Sequence, residues 1–590
     1  MWHDVARFEL RYQLRQPLFA FSALVFFGLG LALASSDIGV AIGDAPGTTL
    51  RNAPIVIARL MPVLSLLGLF AITAFVANAA LRDFDRRSDM LFFTKPLRPF
   101  EYLSGRLAGS LAVSLLVLLA AVGGLMAGAL APWQPDDRVG LFSFAPYAFG
   151  TAAILIPNLL AMGGLFFALA LVSRRLSVTF LCVVFFIGMQ DAVEVLAQNL
   201  ESRTLGSLLE PSGIVALETV GRYWTVAEQN TRLPELGGLL LANRLAWLGL
   251  AVVVLLLCVS RFDFTARERR AKRRSESVPE VEDTNDGGIT VPRIAGSFRR
   301  GDGWGQLLLQ TRLEISEVIP RAPFLTLLAF GLMFVGAYSW MAGAHLGMPS
   351  YPLTHLMLEA IQLGVRLTLV LILVFYAGEL MFSQRSLELS QVYDALPVPN
   401  RVFLGAKLLA LIAVAGVFLL AASVLTVAVQ LAKGFAPDLA LYAQGLVVLA
   451  VPLVPLIVLA LFFQALTNHK LMGLLLTVLV LLARFALPQL GFEHNLALYG
   501  SHPPITYTAQ GGYGHHAEPF GWFMLYWGLA AVALATATLM LWPRGTQGPL
   551  RERLAAARGR LSRPALATTP LVMMSLALLG MAATGGWIYV

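Results

Sequence analysis

The sequence is poor in charged side chains, which make up 13% of its 590 residues, while residues of the set AVILMFWYC make up 57%. A soluble domain carries roughly 25% charged and about 45–50% apolar residues. Too few polar side chains are present to cover a water-facing surface of this size. We therefore expect an all-α protein that crosses a lipid bilayer many times.

Cysteine is also scarce. The two cysteines, Cys182 and Cys258, each lie within an apolar run. Neither a disulfide framework nor a cysteine zinc site is expected from this pattern. The net charge of +8 could suggest nucleic acid. The positions of the basic residues favour a membrane topology signal instead, and we expect no nucleic-acid partner.

Two catalytic motifs are missing. No stretch matches G-x-x-x-x-G-K-[ST], the loop that cradles nucleotide phosphates, and none matches His-Glu-x-x-His. His515-His516 precedes Glu518 at the wrong spacing, so the histidines of segment 491–520 form either a metal or proton-sensing site or, as we prefer, a polar surface loop. We expect no enzyme activity and no bound cofactor or metal in this chain.

Long apolar runs are abundant. A helix needs about 20 apolar residues to cross the hydrocarbon core of a bilayer. Thirteen runs of this kind are present, at 18–35, 58–81, 107–131, 147–172, 176–197, 241–260, 323–345, 354–378, 405–431, 441–466, 471–490, 521–542 and 570–590.

Lysine and arginine indicate the orientation, because they are retained on the cytoplasmic side. With a cytoplasmic N-terminus, 33 of the 43 Lys and Arg residues fall on the cytoplasmic side, 6 fall outside and 4 lie within spans. A missed span would have inverted every later loop. We therefore predict a cytoplasmic N-terminus and an extracytoplasmic C-terminus.

A charged segment divides the chain. Residues 261–303 contain ARERRAKRR followed by an acidic, polar stretch, a composition typical of a flexible cytoplasmic linker. We predict a first half at 1–260, a second at 304–542 and a basic segment with a final outward span at 543–590. The predicted fold is two pseudo-repeated six-helix halves plus one C-terminal transmembrane helix.

Each half opens with a similar motif, FELRYQLRQPLF at 8–19 and LEISEVIPRAPF at 313–324. On a helical wheel the first motif and the residues before it carry Asp4, Arg7, Arg11 and Arg15 on one face and apolar residues opposite, interrupted by Glu9. This pattern predicts an amphipathic elbow helix that lies along the membrane surface.

Each half also has a large cytoplasmic loop after its second span, 82–107 in the first and 379–408 in the second. Pro99 to Gly105 and Pro399 to Gly405 have the same spacing. Both loops predict a short helix whose apolar side needs a cover, either the protein's own helix ends or a docked partner. Recurrence in both halves favours the partner. The candidate docking residues are Asp89, Phe92, Phe93, Lys95, Arg98, Glu388, Tyr393, Asp394 and Arg401.

Charges within the spans form a second set of candidates, because each costs roughly 2.5–3.5 kcal/mol unless it is paired or hydrated. We hypothesise that Asp191 and Arg484 pair across the two halves, in a structural role or along a substrate path. Glu359 and Arg366 share a helix face and are expected near a polar cavity with Arg59. The full set is Arg59, Asp191, Glu194, Arg244, Glu359, Arg366 and Arg484.

The arrangement of elbow helices and docking loops resembles that of type-two ATP-binding-cassette exporter permeases. The resemblance narrows to a subfamily in which the permease often precedes an extracytoplasmic aminopeptidase of the aminopeptidase N class. It is carried by RNAPIVIA at 51–58, LEPSGIVALETVGRYWTVAEQNTRLPEL at 209–236 and YTAQGGYGHHAEPFGWFMLYW at 507–527.

This resemblance implies a partner and a location. A separate cytoplasmic ATPase dimer would bind ATP and Mg and dock on the two loops, in a bacterial inner membrane. Short re-entrant helices are implied at 198–240 and 491–520. The chain stops at Val590, where a peptidase would follow, so the peptidase is either cut off, absent or separately encoded.

Three functions stay open. The chain is a transport permease, or an anchor or force-transmitting base for an extracytoplasmic peptidase, or an ion-coupled transporter. A hydrated groove between the halves favours transport, and dry Leu/Phe packing favours the anchor.

Overall fold

The protein folds as an all-α, multi-pass membrane protein. The computed structural model describes residues 2–37, 40, 49–85, 98–135, 137–174, 176–197, 203–262, 302–341, 351–386, 389–489, 494–544, 550–561 and 564–589. Within these residues there is no β-strand, and one isolated bridge joins Thr508 to Gly512.

The helices before the charged segment are α1 (Trp2–Leu14), α2 (Pro17–Ala34), α3 (Pro54–Ile72), α4 (Asn78–Asp85), α5 (Pro99–Ala129), α6 (Ala145–Gly150), α7 (Ile156–Ser173), α8 (Leu176–Ala197), α9 (Arg203–Leu209), α10 (Ile214–Gly221), α11 (Val226–Thr231) and α12 (Gly238–Ser260). Two π-helical turns, Thr73–Ala77 and Thr151–Leu155, join α3 to α4 and α6 to α7.

The helices after it are α13 (Asp302–Val318), α14 (Ala322–Met341), α15 (Thr354–Ser386), α16 (Ser390–Ala395), α17 (Asn400–Ala432), α18 (Leu439–Ala450), α19 (Leu453–Thr467), α20 (Lys470–Gln489), α21 (Gly514–Leu541), α22 (Leu550–Leu561) and α23 (Pro564–Tyr589).

Helices lie at all thirteen predicted spans. Among the described residues, eleven helices are long and apolar enough to cross a membrane. The predicted spans 176–197 and 471–490 coincide with α8 and α20, which are helical but are not among those eleven. The predicted linker 261–303 lies almost wholly outside the described residues, and α13 begins at Asp302.

Proline sets the start of many of these helices. Pro17, Pro54 and Pro99 each lie in the first turn of their helix, where a missing N–H breaks no helical hydrogen bond. Pro399 is the residue immediately before α17. The matching prolines 99 and 399 therefore mark the starts of α5 and α17.

The two segments predicted to hold re-entrant helices differ. Residues 203–231 contain the short helices α9, α10 and α11. Residues 494–513 contain turns and the isolated bridge, and α21 then begins at Gly514.

The elbow helices α1 and α13 pack against the starts of α5 and α17. A Cβ on Gly105 of α5 would lie 2.8 Å from the Trp2 carbonyl oxygen, and one on Gly405 of α17 would lie 3.1 Å from Leu307. We call the side of the bundle that carries α1 and α13 the elbow side.

Helices α2 and α5 cross in close contact, because glycine removes the side chain at the crossing. A Cβ on Gly124 would collide with the Phe27 carbonyl oxygen, and one on Gly30 would collide with the Ala121 carbonyl oxygen. Small residues at such crossings let helix backbones approach within a membrane.

Gly124→Ala is therefore expected to push α2 away from α5 and to lower the free energy of unfolding by about 1–3 kcal/mol. Gly123→Ala is the matched control, since only the Phe27 ring lies near its Cβ position, at 4.0 Å. Thermal unfolding of both variants in the same detergent makes the comparison. Equal melting temperatures for the two would contradict this account of the crossing.

Candidate docking surfaces and buried charges

The structure describes only part of the first predicted docking segment. Asp89, Phe92, Phe93 and Lys95 lie outside the described residues. Arg98 is exposed and directly precedes α5. The ends of the segment are thus defined by α4 and α5.

The second predicted docking segment contains the short helix α16. None of its six residues is buried, and Val392 is 63% exposed. Leu389 and Leu396, which flank it, are 44% and 41% exposed. The apolar side of α16 therefore keeps much of its surface open to solvent.

The remaining predicted residues of this segment are placed around α16. Tyr393 is half-buried and its ring lies 6.4 Å from the Phe403 ring, while Arg401 is exposed. Asp394 is half-buried, and Glu388 lies outside the described residues. Tyr393 thus attaches α16 to the bundle.

Arg544, which follows α21, holds the end of α16 from a distant part of the chain. Its Nε donates to the Asp394 carbonyl oxygen at 2.9 Å, and its two NH groups donate to the carbonyl oxygens of Leu396 and Val398 at 2.5 and 3.2 Å. It also donates to Asn400 Oδ1 at 3.2 Å. One guanidinium therefore satisfies four acceptors between α16 and the start of α17, and hydrogen bonds from a charged donor are the stronger kind.

Arg544→Gln should release this segment, since hydrogen bonds to a charged group contribute about 1.5–3 kcal/mol. We expect amide hydrogen exchange across residues 390–400 to become at least about tenfold faster. Arg551→Gln, at an exposed position of α22, is the control. Unchanged exchange in Arg544→Gln would show that other contacts hold α16.

The elbow helix α1 carries a buried carboxylate. Glu9 is fully buried and accepts hydrogen bonds from Arg82 at 2.9 and 2.5 Å and from Gln13 at 2.6 Å. It also pairs with Arg106 on α5. Because Arg82 belongs to α4, this one carboxylate joins α1, α4 and α5.

The network extends to the start of the first docking segment. Arg106 also pairs with Asp83 of α4, and the Tyr102 hydroxyl donates to Asp83 at 2.5 Å. Gln13 donates to the Phe75 carbonyl oxygen at 3.1 Å, within the π-helical turn Thr73–Ala77. A π-helical turn breaks the regular backbone ladder, and here α1 binds one of its carbonyl groups.

The elbow helix α13 carries a related contact. Glu314 is 2% exposed and pairs with Lys407 of α17 at 2.7 Å. Lys407 also donates to the Leu380 carbonyl oxygen of α15 at 2.6 Å. Both elbow helices therefore bury a glutamate that binds a basic side chain near the start of the helix after the predicted docking segment, α5 or α17. Each of these contacts also reaches the helix before that segment, α4 or α15.

Glu9→Gln would leave Arg82 and Arg106 buried beside a neutral amide. Removing one partner of a buried charge pair costs about 3–5 kcal/mol, so a large fall in melting temperature is expected. Asp4→Asn, at an exposed position of the same helix, should shift stability by less than about 0.5 kcal/mol. Similar unfolding temperatures for the two variants would contradict a stabilising role for the Glu9 network.

Arg244 is the best-defined charge within a span. It is 4% exposed on α12 and donates to Asn158 Oδ1, to Asn243 Oδ1 and to the Pro211 carbonyl oxygen. Asn158 in turn donates to the Ser212 carbonyl oxygen at 2.9 Å. These contacts fix the turn between α9 and α10 against α7 and α12.

The same turn contains a fully buried carboxylate. Glu210 accepts hydrogen bonds from the Ser212 backbone N–H at 2.7 Å, from the Ser212 hydroxyl and from the Val215 N–H at 3.2 Å. Gly213 follows with a φ of +89°, and a Cβ there would lie 2.6 Å from an Arg244 nitrogen. This arrangement gives Arg244 a structural role in holding the short helices.

The structure describes the side chains of three of the other predicted intramembrane charges. Arg59 is buried and lies close to Gly221 of α10, whereas Glu359 is exposed. Arg484 is half-buried on α20. The side chains of Asp191, Glu194 and Arg366 lie outside the described residues. Both the Asp191–Arg484 pair and the cavity shared by Arg59, Glu359 and Arg366 therefore stay predictions.

On the side opposite the elbows, an ion cluster joins the loops after α2 and α5. Asp37 binds Arg51 at 2.9 Å and Arg138 at 2.6 Å. The hydrogen bond from Arg51, with a smaller contribution from Arg138, lowers the pKa of Asp37 to about 2. No group of three or more His, Cys, Asp or Glu side chains suited to a metal ion occurs among the described residues, which include His494, His502, His515 and His516.

The interface between the two parts of the chain is apolar at its centre. Phe180 of α8 lies 5.7 Å from Phe375 of α15, measured between ring centroids, and Phe185 lies 4.9 Å from Phe330 of α14. Beside Phe180 and Phe375 is a cavity of about 10 Å³, lined by apolar residues that include Phe70. A space that small, without polar partners for a water molecule, stays dry.

Sequence reasoning missed the carboxylates and amides of these networks. On the helical wheel Glu9 only interrupts the apolar face of α1, yet Glu314 occupies the same place in the second opening motif. The shared position of these two glutamates was the sequence feature that could have indicated a buried ion pair in both elbow helices. Asn158, Asn243 and Glu210 carry no sequence signal that links them to Arg244.

No protein-family model matches the chain, and no curated protein matches it in sequence.

Proposed function

We propose that this chain is the membrane-spanning permease of an ATP-binding-cassette transporter, an exporter driven by a separate cytoplasmic ATPase dimer. The observation that carries the proposal is the exposed apolar side of α16. Val392, at 63% exposure, lies on a short helix between two membrane-spanning helices, fixed by Arg544 and Tyr393 but left uncovered. Exposed apolar groups on a fixed helix are suited to a protein partner.

The elbow contacts supply a route for transmitting force. Movement imposed on the first docking segment would reach α1 through Arg82 and Glu9, and α5 through Arg106. Movement of the second would reach α17 through Lys407, which also holds the end of α15. Buried ion pairs of this kind favour rigid-body motion of the helices that they join over independent motion.

In this proposal the elbow side faces the cytoplasm of a bacterium and the chain crosses the inner membrane. The ATPase dimer binds ATP and Mg and docks on residues 82–106 and 379–404. The permease itself supplies no catalytic residue.

An anchor or force-transmitting base for an extracytoplasmic peptidase is the second candidate. It is favoured by the dry contact between Phe180 and Phe375, because a polar substrate has no hydrated path there. A permease in a closed state has the same appearance, since a bilayer must stay sealed between transport cycles. An ATPase partner is what distinguishes the two.

Val392→Asp tests the proposal. The tagged full-length chain is purified from its native membrane in mild detergent, and vanadate-sensitive ATP hydrolysis is measured in the eluate. We expect ATPase activity with the wild type and at least about a tenfold loss with Val392→Asp, because a buried unpaired charge at an interface costs about 2–5 kcal/mol.

Leu554→Asp is the matched control, since Leu554 is 45% exposed on α22. It should retain the wild-type ATPase activity. A wild-type eluate without ATPase activity would contradict the permease and favour the anchor. Retention of activity by Val392→Asp would remove α16 as the docking surface.

A further inference from the structure

The face of α1 that points away from α5 carries three arginines. Arg7, Arg11 and Arg15 follow one another at four-residue spacing and are all exposed. Together with Asp4, Phe8, Tyr12 and Gln16 they line an open groove of about 740 Å³, so the groove holds three basic side chains and one acidic one. Residues four apart on a helix lie one above the other, so the arginines form a continuous basic stripe.

The position of α1 sets the depth of this stripe in the membrane. Trp2, Val5 and Ala6 of α1 contact α5 at Gly105 and Gly109, within the first turns of that spanning helix. The groove therefore lies at one boundary of the hydrocarbon, where lipid headgroups are found. Phe8 is 55% exposed and Trp2 is 42% exposed, as expected of side chains that enter the headgroup layer.

No ion pair joins Arg7, Arg11 or Arg15 to an acid among the described residues, whereas the opposite face of the same helix buries Glu9 between two arginines. Three arginines and interleaved aromatic rings at this depth complement an anionic phosphate with an attached acyl chain. One guanidinium group can donate two parallel hydrogen bonds to two oxygens of the same phosphate.

We infer that this groove binds the headgroups of anionic phospholipids. The inference concerns the protein's own membrane and is independent of the proposed transport function. Arg7, Arg11 and Arg15 hold the phosphates, while Phe8 and Tyr12 contact the glycerol and upper acyl carbons. Binding fixes α1, and with it the Glu9 network, against the membrane surface.

The second elbow helix provides an internal contrast. Helix α13 carries one basic residue, Arg312, and exposes Trp304, Leu308 and Leu309 at 73%, 65% and 62%. Its surface suits acyl chains of any lipid and offers no stripe for phosphate. Of the two elbow helices, α1 should therefore be the one that is selective for anionic lipid.

The test uses the purified full-length chain in mild detergent, titrated with phosphatidylglycerol or phosphatidylcholine and analysed by native mass spectrometry. The double variant Arg7→Gln/Arg11→Gln should lose about fivefold in apparent phosphatidylglycerol affinity for each arginine removed, with phosphatidylcholine binding unchanged. The control Arg551→Gln/Arg558→Gln removes the same charge from exposed positions of α22 and should bind both lipids like the wild type. Wild-type melting temperatures for both double variants verify their folding.

Three results would overturn the inference. One is equal phosphatidylglycerol binding by the wild type and the Arg7/Arg11 variant. Another is equal affinity of the wild type for the two lipids. The third is displacement of the lipid by free glycerol phosphate at the same concentration, which would assign the stripe to a soluble phosphate ligand.

Discussion

A charge removed from water must find an opposite charge or several hydrogen bonds, and this requirement organises the bundle. Glu9 is fully buried and is stabilised by Arg82, Arg106 and Gln13. Each of these partners lies on a fixed helix, so the carboxyl group of Glu9 sets the positions of α1, α4 and α5 together. Arg244 acts in the same way on the other side of the first part, where it joins α7, α12 and the turn between α9 and α10.

The two elbow helices each bury a glutamate, but the groups that stabilise it differ. The first elbow uses a glutamate between two arginines, and the second uses Glu314 with Lys407 and a backbone carbonyl. Arginine presents a planar fork that holds two carboxylates at once, as Arg106 does with Glu9 and Asp83. Lysine provides one point charge, and the second predicted docking segment is held additionally by Arg544. The two segments are therefore attached to the bundle by different means.

Apolar run length predicted where most of the helices lie, although α3 and α5 begin at Pro54 and Pro99, ahead of the predicted spans 58–81 and 107–131. Helices begin at Pro17, Pro54 and Pro99 because proline fits the first turn, and the hydrocarbon thickness determined how far they extend. The side-chain partners could not be predicted in this way. Arg544 binds Asp394 across 150 positions of sequence, and Arg244 binds Asn158 across 86, and neither pair belongs to a local pattern. The exposed apolar side of α16 was expected in kind, but which of its residues face solvent depends on the tertiary contact of Tyr393 with Phe403.

The apolar interface between the two parts and the ion networks on the elbow side differ in how they resist movement. Apolar contact between Phe180 and Phe375 is non-directional, so the two parts can separate there without breaking any hydrogen bond. The ion networks on the elbow side are directional and resist separation within each part. A force applied on the elbow side would therefore first move the two parts relative to each other at the interface between Phe180 and Phe375, where no hydrogen bond fixes the contact. In a permease that opens and in a base that flexes alike, the aromatic interface would be where the two parts move, and the buried charges would hold each part together as a rigid body.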